Sequence, residues 1–148
     1  MADLREKVEV EKEYINHTLS DLQLALARPE QTIIELAALG TFLLNIYTGI
    51  ENILKQILQA KKIAVPHTSS SHKDLLALAV KEQIISQSFY DDIFPFLSFR
   101  HFFVHAYGFM LDNEPIMRMV NKIPQVYSRF VTEIDTALEN FEKASAQP

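Results

Sequence analysis

Between residues 36 and 57 the apolar positions advance in alternating steps of three and four. Leu36, Leu39, Leu43, Ile46, Ile50, Ile53 and Ile57 hold this spacing over three heptads, and Leu44, Tyr47, Leu54 and Leu58 widen the stripe. Such a period belongs to an α-helix and cannot serve a strand, whose faces alternate every second residue. A helix apolar over so broad a face lies at the centre of a bundle or packs on a partner subunit as well as on its own core.

The rest of the chain repeats the helical period. Val8, Ile15, Leu19, Leu22 and Leu26 trace a first helix, interrupted at Arg28-Pro29 because proline disfavours helix in the residue before it. Pro29 then fits the first turn of the long second helix, with Glu30 set against the helix dipole, and that helix is expected to run to about Lys62. Pro66 and Thr68-Ser69-Ser70-Ser71 mark a loop. Ser71 and Asp74 have the spacing of a capping box that opens a short helix bearing Leu75, Leu76, Leu78 and Ala79. A fourth helix follows Glu82–Ser88, with a kink or restart expected at Pro95 and a stop at Asn113-Glu114-Pro115. A last helix, from about Pro124, shows Val126, Phe130, Ile134, Ala137, Leu138 and Phe141 before a polar tail from about residue 143. The expected architecture is all-α, a bundle of four or five helices in one domain spanning residues 1–148.

Only three glycines are present, there is no glycine-rich phosphate loop, and no internal repeat is visible. With 148 residues, 48% of them hydrophobic and 22% charged, the chain can build one substantial core. The formal charge of −5 argues against a general nucleic-acid coat, so any RNA contact must rest on a local basic strip. Cysteine is absent, which excludes disulfides and thiol chemistry and is compatible with the cytoplasm. Met1–Glu13 is charged and lacks the apolar stretch of a signal peptide, and no segment is expected to span a membrane.

The chemistry-bearing residues concentrate in Phe99-Arg100-His101-Phe102-Phe103-Val104-His105-Ala106-Tyr107. An arginine, two histidines and a tyrosine lie there within a strongly apolar run. At about 100° per residue, Arg100, His101, Val104, His105, Gly108 and Asp112 fall on one side, while Phe99, Phe102, Phe103, Ala106 and Met110 form a core-facing side. Tyr107 sits just outside the polar strip. A fixed cation, titratable imidazoles and a small residue together suit a phosphate, although the same face could be an ordinary solvated surface. His101 and His105 also have the spacing of a helical metal pair. Position 102 is Phe where a zincin helix carries Glu, and a third ligand would have to come from His17, His67, His72 or a distant carboxylate, so no metal is expected.

Phe99 to Tyr107 resembles the R-x4-H-x-Y signature of the HEPN superfamily, specifically the HepT-like toxins. Ile46-Tyr47-Thr48-Gly49-Ile50-Glu51-Asn52-Ile53-Leu54-Lys55 and Ser71-His72-Lys73-Asp74-Leu75-Leu76 agree with it in order and spacing. The resemblance implies a symmetric homodimer of helical bundles and a metal-independent endoribonuclease toxin of a type II or VII toxin-antitoxin pair, working without a cofactor. It assigns catalysis to Arg100 and His105, with His101 as a supporting residue. It also implies a nucleotidyltransferase antitoxin of the MNT type that attaches AMP to Tyr107. Glu51 and Asp112 are read as surface or capping residues, with support of the cations as their other role. Two further readings stay open: a non-catalytic HEPN-type module that binds a nucleotide or serves a nucleotidyltransferase, and a structural or metal-storing bundle.

Overall fold

The computed structural model describes residues 2–65, 67, 71–105 and 113–147. Five helices in chain order account for nearly all of them, and no strand occurs among the described residues: α1 (Ala2–Leu26), α2 (Ile33–Ala60), α3 (Ser71–Lys81), α4 (Gln87–Val104) and α5 (Asn113–Ala146). The helical bundle expected from the periodicity is present.

The broad stripe of α2 explains its position. Leu39, Leu43, Ile46, Ile50, Ile53, Leu54, Ile57 and Leu58 are fully enclosed, and α2 packs against each of the other four helices. By length and composition α2 is apolar enough to cross a membrane, contrary to the expectation that no segment qualifies. The width of its stripe is the cause, and those apolar faces meet the other helices. Each enclosed Leu or Ile contributes about 1.5–3 kcal/mol of transfer free energy, so this one helix supplies a large share of the core.

Helix α2 begins four residues beyond Pro29. Thr32 is its N-cap: the Thr32 side chain accepts from the Ile34 amide at 3.2 Å, and the Glu35 carboxylate accepts from the Thr32 amide at 2.9 Å. This reciprocal arrangement satisfies first-turn amides that Pro29 and Glu30 cannot reach, so those two residues belong to the connection from α1. The bonds from Thr32 hold the Glu35 carboxyl below its ordinary pKa.

Proline produced the other departures. Pro95 lies on the exposed side of a continuous α4, and Pro124 lies on the exposed side of a continuous α5. Water can take the carbonyls that each ring leaves without a donor. Asn113-Glu114-Pro115 starts α5 and does not terminate α4, because a proline in the first turn loses no intrahelical bond. The apolar seam of α5 consequently begins at Ile116 and continues through Val120, Ile123, Tyr127, Phe130, Ile134 and Ala137, again in steps of four and three. Helix α3 starts at Ser71 itself.

Candidate functional site

Helix α4 is fixed at both ends. At its start Ser86 is the N-cap, accepting from the Phe89 amide at 3.0 Å, while Ser86 donates through its amide and hydroxyl to Glu133 of α5, each at 2.7 Å. Arg129 of α5 bridges Asp92 of α4 and Glu133. Towards its end Phe99 is buried, its ring stacked on Phe103 at a centroid separation of 5.5 Å. Phe103 in turn lies directly over Gly40 of α2.

This anchoring sorts the motif residues by environment. Arg100 is half-buried, and its Nε has no hydrogen-bond partner among the described residues. His101 and His105 are exposed, with ring centroids 4.4 Å apart and planes tilted by 44°. His105 is the C-cap of α4, its backbone leaving helical geometry at φ −89° and ψ 37° while its amide still donates to the His101 carbonyl at 3.2 Å. One fixed cation therefore sits partly within the bundle, and two imidazoles stand at its solvent edge.

The wheel drawn from the sequence needs one correction here. Phe102, expected on the core side, is 41% exposed, since α4 meets the core through Phe96, Phe99 and Phe103. Helix α4 ends at Val104. Tyr107, Ala106, Gly108, Met110 and Asp112 lie outside the described residues.

Glu51 is the larger revision. It is no surface residue: it is 3% exposed, on the enclosed face of α2. Its two carboxylate oxygens lie 2.7 and 2.9 Å from Nδ1 of His72 in α3. A buried carboxylate needs such a partner, because its desolvation is otherwise uncompensated. Tyr47, one turn before Glu51, is also buried, and its hydroxyl makes no hydrogen bond of regular geometry. Burial pushes the Tyr47 phenol far above its ordinary pKa, the nearby Glu51 charge pushes the same way, and Arg100 acts in the opposite direction.

Tyr47, Glu51 and His72 thus gather from α2 and α3 into one polar island within an apolar bundle. Sequence reasoning did not pair Glu51 with His72, which is 21 residues away in the chain. A signal for Glu51 did exist. It stands four residues after Tyr47 and three before Leu54, on the apolar stripe, where a carboxylate has to find a cation or a donor. Among the described residues, no three His, Asp or Glu side chains converge in a way that could hold a metal ion.

A surface cleft lies elsewhere on α4. It occupies about 570 Å³ between α4 and α5, where Arg118, Lys122 and Arg129 face Asp91 and Asp92.

Residues 38–144 match the model of a family described as HepT-like protein. The match starts within α2, covers α3 and α4 entirely, and leaves out α1. None of the curated proteins and none of the solved structures gives a match.

Proposed function

The chain belongs to the HepT-like family of the HEPN superfamily, a family related to ribonucleases, and from that premise we propose that it is a metal-independent endoribonuclease toxin. The observation that carries the reading is the environment of the motif within a chain of this family: Arg100 is half-buried on α4, and His105, five residues on, is exposed at the C-cap of that helix.

RNA supplies its own nucleophile. The 2′-oxygen attacks the neighbouring phosphorus, a 2′-O–P bond forms, the P–O5′ bond breaks, and the products are a 2′,3′-cyclic phosphate and a 5′-hydroxyl. The imidazole of His105 removes the 2′-hydroxyl proton or protonates the leaving 5′-oxygen, since histidine titrates nearest neutral pH. The guanidinium of Arg100 binds the phosphate and stabilises the negative charge that grows on its oxygens. Arg100 and His105 lie about 140° apart around one helix, so a single copy encloses a phosphate poorly. A homodimer about a twofold axis brings two arginines and two imidazoles to one cleft, so that one His105 serves as base and the other as acid. DNA lacks the 2′-hydroxyl and should remain intact. His101, tilted against His105, supports the phosphate.

Regulation falls to Tyr107. Its phenolic oxygen attacks the α-phosphorus of ATP, pyrophosphate leaves, and the attached AMP places bulk and negative charge two residues from His105, which keeps an RNA phosphate out. The agent in this reading is a nucleotidyltransferase antitoxin of the MNT type, met in the cytoplasm.

The test is incubation of the purified protein and its His105→Ala variant with total RNA in the presence of EDTA, followed by mapping of the new ends. Cleavage by the first alone, leaving cyclic-phosphate ends, is the expected result. Intact RNA from a folded protein with unmodified Tyr107 would overturn the reading in favour of a non-catalytic helical module.

A further inference from the structure

In a chain of net charge −5, a basic surface matters by where its cations stand. From Pro115 to Thr132 helix α5 carries Arg118, Lys122 and Arg129 and no acidic residue. These three lie within about 40° of one another around the helix, on the face that lines the cleft of about 570 Å³ against α4. They are not equivalent. Arg129 is taken up by Asp92 and Glu133 and fastens the two helices together. Arg118 is exposed and reaches only Glu114, at 3.9 Å, a surface pair worth little. Lys122 is exposed and makes no ion pair among the described residues. Two cations one helical turn apart are therefore available to a ligand in the cleft.

Register brings them level with the motif. Ser86 meets Glu133 and Asp92 meets Arg129, so α4 and α5 run antiparallel. Continued at the same register, Lys122 and Arg118 stand beside the turns of α4 that carry Ser98 to Phe102, the span that holds Arg100. On the α4 wall, Asp91 and Pro95 line the cleft, and Phe102 lies two turns beyond Pro95 within about 20° of it. Phe102 is 41% exposed. An aromatic ring at the edge of a basic cleft is a surface on which a nucleic-acid base can stack.

We propose that the cleft between α4 and α5 is a track for single-stranded RNA, in which Arg118 and Lys122 hold the backbone and Phe102 stacks a base, so that the strand is led to Arg100 and His105. The proposal rests on the ribonuclease reading for its consequence in cleavage and not for the binding itself. A single strand fits better than a duplex, because stacking on Phe102 needs an unpaired base and attack by the 2′-oxygen in line with the leaving group needs a backbone freed from A-form geometry. The two carboxylates of the α4 wall set the side on which the backbone runs. Asp92 is offset by Arg129, while Asp91 accepts only from the Gln87 amide nitrogen, at 3.1 Å, and keeps its charge, so phosphates are pressed towards the α5 wall.

The test uses the full chain carrying His105→Ala, which binds RNA without cutting it, and a short fluorescein-labelled single-stranded RNA of mixed sequence, followed by anisotropy over a salt series. Arg118→Gln combined with Lys122→Gln should weaken binding about 25-fold at about 0.1 M salt, and should flatten the slope of log affinity against log salt by about 1.4, since each phosphate contact on a single strand contributes about 0.7. Phe102→Leu should weaken binding about tenfold with the slope unchanged, the mark of lost stacking. Lys81→Gln combined with Lys143→Gln makes the same change of charge at exposed positions away from the cleft and should leave affinity and slope nearly as they were. Unchanged binding in the cleft pair, or an equal loss in the control pair, would overturn the track and leave the cleft to an acidic protein partner. Should the cleft pair fail to fold, Lys122→Gln alone decides, through a slope change of about 0.7. Cleavage is scored separately. A parent protein that leaves RNA intact while its binding depends on the cleft pair fails the ribonuclease reading and not the track; one that cuts RNA while the cleft pair binds as before fails the track alone.

Discussion

A Cβ built on Gly40 would lie 2.6 Å from Cε1 of Phe103, so this contact of α2 with α4 depends on a hydrogen in place of a methyl group. Gly40→Ala should force the Phe103 ring aside. The overpacking costs about 1–3 kcal/mol, against a gain of up to about 1 kcal/mol from the better helix former, so the melting temperature should drop. In a Phe103→Leu background the ring is gone, and the same substitution should become neutral or stabilising. A double-mutant cycle by thermal melting checks this; equal effects in both backgrounds would sink the contact as the cause. On the proposed ribonuclease reading, because Phe103 lies between Arg100 and His105 in sequence, Gly40→Ala should also reduce RNA cleavage more than its stability loss explains.

Helices α2 and α3 end in the same way, on a non-glycine residue with positive φ: Lys62 and Gln83, each at 60°. Behind Gln83, the Ile84 amide donates to the Ala79 carbonyl at 2.9 Å and the Gln83 amide to the Val80 carbonyl at 3.0 Å, a pattern that normally favours glycine. A side chain in the left-handed region costs about 1–2 kcal/mol, partly offset by the greater chain entropy of glycine. Gln83→Gly should therefore raise the melting temperature by a few degrees. A decrease would mean that the Gln83 side chain makes a compensating contact.

Lys12 sits on the core-facing stripe of α1, its side chain only 11% exposed, with Nζ 2.6 Å from Asp135 of α5 and 3.2 Å from Glu9. Removing a partner strands the cation, whereas replacing the lysine by an apolar residue of similar length removes the need for one. Asp135→Ala should cost roughly 1–2 kcal/mol, a range reduced because Asp135 is itself half-exposed. Lys12→Met should be neutral or stabilising. Chemical denaturation of the two variants gives the order, and a larger loss in Lys12→Met would refute the argument.

Tyr47 gives a prediction at alkaline pH. Burial and the Glu51 charge raise its phenol far above the ordinary value of about 10. The raised value means that the folded state favours the neutral phenol, so its stabilising contribution is complete below the unfolded pKa and is lost progressively as pH rises above it. Tyrosinate absorbance should show Tyr47 ionising only as the chain unfolds. In Tyr47→Phe the alkaline loss of stability should be smaller. Titration of all five tyrosines in a single step without unfolding would contradict the buried environment.

The helices that place the site were legible wherever one apolar period sufficed, as on α2 from Leu36 to Ile57. Proline misled at Pro95, Pro115 and Pro124, because its effect depends on whether it stands in a first turn or on a wet face, and neither is a local property of the residue. Arg100, His101 and His105 were visible as a cluster close in sequence. Glu51 and His72 were not visible as a pair, since 21 residues and a loop separate them and only tertiary packing brings them together. A carboxylate on an apolar stripe was the one hint, and it pointed to a partner without naming it.

The central position of α2 determines what a genetic screen on this protein can teach. On the proposed ribonuclease-toxin reading, a search for substitutions that relieve toxicity would collect many changes along α2, and most would act by removing folded protein, since that helix contacts all four others. Loss of toxicity there would carry little information about catalysis unless the amount of protein were measured alongside it.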